Sequence, residues 1–561
     1  MSEFHGDLQS SEVHANAAGP QMSLIGVLAF PLALTVVGLI LMSLIACILK
    51  LNYGTFLYTM DDPYITLAVS DQIRHGNYGV NPGIHAAASS SILFPALLAL
   101  GSGTPIHPYL ALILSCLALF AILVIVWRFL LHLRLAEDTF GRVAQAVAVL
   151  LMAVCLNLIG VIFTGAEHSL HILATAACVY GLALFLDRDK MPGWLPAVIV
   201  IAPLLRYEGL ALSMGALLLL ALRGRWRTAS GGFALIVLFL GTFSAFLVSM
   251  KLSPLPSSIL TKSKVAAHGV GPGKGLLASV FWNAMNMAFH PAGFVLVVVG
   301  VAAAVLCCRE LPAWPWRWTS RGLMALALVC LIGGQAAAGQ FGGFYRYEDY
   351  ALLGTAMMGI YLARDRIRIA LANKRWRLAY CCGTAMVLLT TCWTYLRSEW
   401  QIHIASNNIY EQQFQMHRFL DEFYHGPVAV NDLGLVSYHN PNFVLDLGGL
   451  ASEEARMLIS SNANAGAYRA MVDRNGVHLV IIYEEWFVNK IPASWIKVAS
   501  MDQSRACIDC SEGEVQFYAT DAVTAGILRP ELQAFRKVLP PRVKLKVYGL
   551  PANAEHAASM F

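Results

Sequence analysis

Residues 23–49 read SLIGVLAFPLALTVVGLILMSLIACIL, a run without a single charged side chain. A bilayer core is crossed by about 20 apolar residues. This run is too long for the hydrophobic stretch of a signal peptide, and the preceding tail, residues 1–22, has no Lys or Arg to form its basic flank. The first element is therefore read as a retained membrane span. Beyond Lys50 the stretch Thr59-Met60-Asp61-Asp62-Pro63-Tyr64-Ile65-Thr66 sets two adjacent acids beside the membrane, an unusual neighbour for so apolar a helix.

The composition agrees with the first span. Of 561 residues only 13% are charged and 57% are hydrophobic, with a mean hydropathy of +0.60. Soluble domains carry about 25% charged residues, so an ordinary soluble enzyme, a disordered chain and a nucleic-acid binder are all excluded. Further spans are expected around Tyr109 to Leu131, Val143 to Phe163, Ser169 to Phe185, Trp194 to Leu222 and Gly231 to Met250. More are expected around Phe281 to Cys308, Leu323 to Ala338, Tyr350 to Ala363 and Leu378 to Leu396. Ser89 to Leu100 is short for a crossing. The expectation is a polytopic α-helical membrane domain over 23–396 with about ten to twelve spans.

Charge sets the orientation. The connections at Arg128 to Arg142, Arg188 to Lys190, Arg223 to Arg227, Arg309 to Arg321 and Arg364 to Arg377 hold 17 basic residues, whereas the opposite set of loops holds six. By the positive-inside rule the first set is cytoplasmic. The first outer loop, 51–88, and everything after Leu396 then face the other side. A net charge of +5 over this length calls for no polyanionic partner.

After Leu396 the character changes. The last 165 residues carry 18 of the 34 acids and no run able to cross a bilayer. Short β-rich stretches at Pro427 to Val430, Val477 to Tyr483 and Val515 to Tyr518 alternate with helical ones at Ile409 to Phe423 and Arg529 to Val538. Residues 397–561 are read as an extracytoplasmic α/β domain. Ten of the 12 cysteines lie in apolar stretches and read as packing residues. Cys507 and Cys510 form a C-x-x-C in the polar part, read as a local disulfide.

The candidate chemistry lies where polar residues interrupt apolar ones. Asp62-Pro63 opens a helix reaching about His75 and stopping at Gly76, with Asp62 suited to its N-cap. Asp61 has no such duty, and two adjacent carboxylates at a membrane surface raise the pKa of at least one, as a general base near neutral pH requires. Arg206-Tyr207-Glu208 places an ion pair in mid-span, where charge is expensive and marks a cavity, a site or a mutually satisfied pair. Lys262 and Lys264 come after Pro254-Leu255-Pro256-Ser257-Ser258, as phosphate ligands or solvated cations, and Arg346 sits among aromatics in Gly342 to Asp349, as a phosphate ligand, a partner of Glu348 or Asp349, or an interface anchor.

In this order the motifs resemble the GT-C class of polytopic glycosyltransferases, within it most closely the bacterial terminal arabinofuranosyltransferases. The resemblance is carried by Asp61-Asp62-Pro63-Tyr64-Ile65, Gly76 to Gly83, Gly165-Ala166-Glu167-His168 and Arg206-Tyr207-Glu208-Gly209. It continues through Pro254 to Ser258 with Lys262, Tyr345-Arg346-Tyr347, Asn431-Asp432-Leu433-Gly434 and Val444 to Leu450. Tyr207, Pro63 and Ala86 to Ser90 depart from the family pattern. The resemblance implies transfer of a sugar, arabinofuranose or another pentose, from a polyprenyl-phosphate donor to a hydroxyl of a glycan, lipid or protein on the extracytoplasmic side of the bacterial inner membrane. It implies Asp61, or Asp62, as catalytic base. Glu167, His168, Arg206, Glu208, Lys262, Lys264 and Arg346 would hold the donor, and Tyr64, Tyr345, Asn431 and Asp432 would serve the acceptor or the domain interface. No metal is required, although two adjacent acids are able to hold a divalent cation. The competing class is a secondary transporter or lipid-sugar flippase using Arg206 and Glu208 as its coupling pair; no internal symmetry supports it.

Overall fold

A computed structural model describes residues 23–262, 276–310, 318–508 and 512–549. Among these, six helices are long and apolar enough to cross a membrane: Leu24–Leu51, His107–His132, His168–Arg188, Trp226–Ser249, Pro291–Arg309 and Ser320–Ala338. A seventh crossing is formed if Arg377–Thr391 and Trp393–Trp400, bent by 67°, count as one. The chain is a multi-pass membrane protein with a C-terminal α/β domain.

Three of the expected spans are interrupted for a local reason, and a fourth is the apolar part of a longer helix. The run from Trp194 to Leu222 breaks into Leu195–Leu205 and Gly209–Leu222 at the charged triplet Arg206-Tyr207-Glu208. Val143 to Phe163 breaks at Asn157, held in a left-handed conformation with φ of 52°. Phe281 to Cys308 divides where Pro291 starts a new helix, because proline lacks the N–H that would continue the earlier one. Tyr350 to Ala363 is the apolar part of Asp349–Ala372, whose second half carries Arg364, Asp365, Arg366 and Arg368.

The basic loops gather at one end of the bundle. Arg364 binds Asp187 at 2.8 Å, Arg377 binds Asp138 at 2.5 Å, and Arg368 donates to Leu133 O at 2.6 Å. The first loop and the C-terminal domain occupy the other end. There a six-stranded sheet has the order β2-β1-β3-β5-β4-β6, with β1 Val428–Val430, β2 Val444–Asp446, β3 Leu479–Ile482, β4 Ile496–Asp502, β5 Glu514–Ala519 and β6 Lys544–Val547. β2, β1 and β3 run parallel; β5, β4 and β6 continue antiparallel. The expected helix Ile409 to Phe423 is two, Ile402–Glu411 and Gln413–Glu422.

One apolar cluster joins the two parts, packing Tyr58, Tyr64 and Ile65 of the first loop with Val428, Val430 and Tyr438 of the domain. Polar contacts fix the docking. Asn81 from the loop accepts from Val444 N–H and donates to Val444 O, both at 2.9 Å, and so closes the open edge of β2, where unpaired backbone groups would otherwise stand. Cys507 is disulfide-bonded; Cys510, its expected partner, lies outside the described residues.

Candidate active site

The first-loop helix is Asp62–Arg74, ending at His75 and Gly76 as expected. Its N-cap position is Asp61, one residue earlier than the sequence suggests, and the Asp61 side chain makes no capping bond. The reason is that the carboxyl is taken by the C-terminal domain. Asp61 Oδ2 accepts from Gly434 N–H at 2.5 Å and Oδ1 from Leu435 N–H at 2.8 Å. Asp61 is 7% exposed. Burial pushes its carboxyl well above the usual range, and neighbouring Asp432 pushes it further. Asp432 is raised by burial as well, while accepting from Gln413 at 2.7 Å and from the Tyr483 hydroxyl at 3.1 Å. Burial raises both carboxyls of the hydrogen-bonded Asp61–Asp432 pair, so the two share a proton as a unit. Gly434 is required there: a Cβ on it would lie 2.1 Å from Asp61 O. The expectation that Asp61 has no structural duty is corrected: it fastens the loop to the domain.

Asp62 points the other way, into a cavity of about 460 Å³ between the membrane helices. Five of the residues singled out in the sequence meet it there: Glu167, His168, Arg206, Glu208 and Arg346. Arg346, 3% exposed in its side chain, forms an ion pair with Asp62 and also reaches Met60 Sδ at 2.5 Å and the Tyr347 hydroxyl at 2.9 Å. Arg206 binds Glu167 at 2.5 Å and Glu208 at 2.7 Å, and Ser90 donates to Glu167 at 3.0 Å. The Tyr347 ring stands between the two guanidiniums, 5.5 Å from Arg206 Cζ and 4.9 Å from Arg346 Cζ, close enough for cation–π attraction. The lining also includes the apolar side chains of Leu210, Ala211, Met214, Ile259, Ala337 and Ala338.

Arg346 is presented by an exceptional piece of backbone. Gly342, Gly343, Phe344 and Tyr345 all have positive φ, at 92°, 55°, 58° and 58°. Non-glycine residues rarely adopt this region. Asn157 holds the turn by donating to Phe344 O at 2.9 Å, and Glu348 accepts from Gly342 N–H at 3.1 Å and from the Tyr395 hydroxyl at 3.0 Å.

The other sequence candidates divide. Tyr64 is buried at the domain interface, its hydroxyl accepting from Tyr58 N–H at 3.2 Å and its ring against Tyr438. Tyr345 stands outside the cavity lining, 5.0 Å from Tyr395, ring to ring. Asn431 lies inside the C-terminal domain, accepting from Tyr483 N–H at 3.0 Å, and Asp432 meets Asp61 rather than the cavity. The helix Ser257–Lys262 brings Ser258 and Ile259 to the cavity, while the Lys262 side chain and Lys264 lie outside the described residues. Tyr347 and Ser90 were missed as site residues. The signal for Tyr347 was its place beside Arg346; nothing in the sequence marks Ser90.

A family model described as a domain of unknown function (DUF8728) matches residues 406–518. No curated protein matches the chain. Among solved structures, the chain is similar to the archaeal oligosaccharyltransferase AglB from Archaeoglobus fulgidus, in complex with an inhibitory peptide and a dolichol-phosphate. The identity is 12% and the TM-score 0.42, over 79% of this chain and 69% of that one. It is also similar to ArnT from Cupriavidus metallidurans in the apo state, at 13% identity and TM-score 0.42, over 88% of this chain and 98% of that one. The DUF8728 match includes the Asp432 to Leu435 turn that receives Asp61 and none of the cavity residues.

Proposed function

We propose that the protein is a glycosyltransferase that moves a sugar from a polyprenyl-phosphate donor to an acceptor hydroxyl, with Asp62 as the base. One observation carries the reading: a single cavity among membrane helices is lined both by acids and guanidiniums and by a set of apolar side chains. An amphiphilic donor calls for both kinds of group. The prenyl chain lies along Ala211, Met214 and Ala337, and the phosphate reaches Arg346.

In the reaction the acceptor hydroxyl gives its proton to Asp62. Its oxygen forms the new bond to the anomeric carbon, and the bond from that carbon to the phosphate oxygen breaks, with the electron pair leaving on the phosphate. A lipid phosphate is already a leaving group, so the protein has to position the reactants, accept one proton and stabilise developing charge. Before substrate arrives Asp62 and Arg346 neutralise each other. Donor phosphate replaces Asp62 at Arg346 and leaves the carboxylate facing the acceptor. Arg206 is braced by Glu167 and Glu208 on both sides, which suits a fixed wall that hydrogen-bonds sugar hydroxyls, and does not suit a moving transport gate.

Orientation comes from the loop charges: the cavity and C-terminal domain face away from the cytoplasm. The sugar is proposed as a pentose on the resemblance alone. The test is a radiolabelled polyprenyl-phosphate pentose supplied to the purified protein with cell-envelope glycan. Transfer that is lost in Asp62→Asn is the expected result. Absence of transfer or hydrolysis from any of a panel of polyprenyl-phosphate sugars would overturn the reading.

A further inference from the structure

Away from the cavity, the far end of the Asp62–Arg74 helix meets the start of His107–His132 and the Tyr438-His439 turn of the C-terminal domain. There a carboxylate oxygen of Asp71 and one ring nitrogen each of His107 and His439 lie within 4.8 Å of one another. Hydrogen bonds assign the His107 tautomer. Ser70 donates its hydroxyl to Leu67 O at 2.7 Å, so its oxygen accepts from His107 Nε2–H at 2.8 Å. Nδ1 is then the nitrogen that bears a lone pair, and the Tyr438 hydroxyl reaches it at 3.0 Å. A neutral imidazole whose far N–H is pinned to an oxygen is the form in which histidine binds metals, and an ion at Nδ1 would displace the Tyr438 O–H that this nitrogen accepts.

Asp71 is held in a comparable way, oriented through Oδ1 by the Ser102 hydroxyl at 2.5 Å. His439 has φ of 56°, and its ring stacks on Tyr438 at 4.0 Å with the His107 ring 6.4 Å away. We propose that Asp71, His107 and His439 bind one divalent ion of the zinc class, with water or the Tyr438 oxygen as fourth ligand. Two imidazoles and a carboxylate are borderline donors of the type zinc selects. A tetrahedral site with bonds of about 2.0–2.1 Å holds its donors about 3.3 Å apart. Buried His107 stays in place, and half-buried Asp71 and exposed His439 close on it. The ligands come from two elements of the membrane part and one turn of the C-terminal domain, so the ion ties the domain to the helix that carries Asp62. This site is independent of the proposed transfer reaction.

The experiment uses full-length protein in detergent, purified without a polyhistidine tag and stripped with a chelator, then titrated with Co²⁺. Wild-type protein should develop the visible bands of four-coordinate cobalt, saturating at one ion per chain and bleached by Zn²⁺. Zn²⁺ should also raise the unfolding temperature. His439→Ala, at an exposed position, and Asp71→Asn should each weaken cobalt binding at least tenfold while leaving the metal-free unfolding temperature close to wild type. No visible band in wild type, or binding unchanged in both variants, would overturn the proposal.

Discussion

Asp61 and Asp62 are adjacent in the chain, but they serve two different regions. Asp61 is enclosed in the C-terminal domain, carries a proton shared with Asp432, and accepts two backbone N–H groups. Asp62 lies in the membrane cavity, is partly open to it, and is matched by the guanidinium of Arg346. The first arrangement suits a fastening: a buried acid engaged by two backbone N–H groups and by Asp432. The second suits chemistry, because its charge is balanced by a partner that a phosphate can reclaim. On the proposed reaction, consecutive residues at a helix start thus divide docking from proton transfer.

The comparison can be broken first at the cavity. Arg346→Ala should lower sugar transfer by roughly 10²–10³-fold, the usual cost of removing a donor that stabilises developing charge. Thermal unfolding measured alongside should show a folded protein. A smaller loss would mean that Arg346 only neutralises Asp62.

The fastening side should answer in stability. Asp61→Leu strands the Gly434 and Leu435 N–H groups and leaves Asp432 buried without its partner, a cost of about 2–4 kcal/mol in chemical denaturation. Gly434→Ala drives a methyl group into Asp61 O and should cost about 1–3 kcal/mol. Asn81→Ala removes both bonds to the edge of β2, for about 1–2 kcal/mol, with increased proteolysis near β2 as its marker.

The smallest effect is the pH dependence. Asp61 and Asp432 are raised by burial, and burial pushes Asp446 up to about 6. A carboxyl raised in the folded state binds more protons than in the unfolded chain, so its contribution is complete below about pH 4 and is lost as pH rises through its folded value. Domain stability should therefore decline from about pH 4 upward, through about 6 for Asp446. Asp61→Asn, which mimics the protonated acid, should flatten that decline. A steeper decline in Asp61→Asn would show that the Asp61–Asp432 pair does not cause it.

The sequence made much of this legible. Glu167, His168, Arg206, Glu208 and Arg346 are polar residues in charge-poor surroundings, and they converge because each needs a partner away from lipid. What stayed hidden depends on distant contacts. The choice between Asp61 and Asp62 turns on Gly434 and Leu435, which lie far along the chain and reveal nothing locally. The turn at Gly342 to Tyr345 escaped because Phe344 and Tyr345 adopt a conformation their side chains disfavour, imposed by Asn157 and Glu348. The broken spans escaped because hydropathy averages over local breaks such as left-handed Asn157, the Arg206-Tyr207-Glu208 triplet and the helix start at Pro291.

The most direct test sets the two neighbours against each other: transfer from a polyprenyl-phosphate sugar by Asp62→Asn and Asp61→Asn, side by side, with unfolding temperatures recorded. Asp62→Asn should lose transfer by about 10²–10⁴-fold, the usual worth of a general base, with little change in stability, and Asp61→Asn should keep most of its activity. Full activity in Asp62→Asn with loss in a stably folded Asp61→Asn would contradict the account.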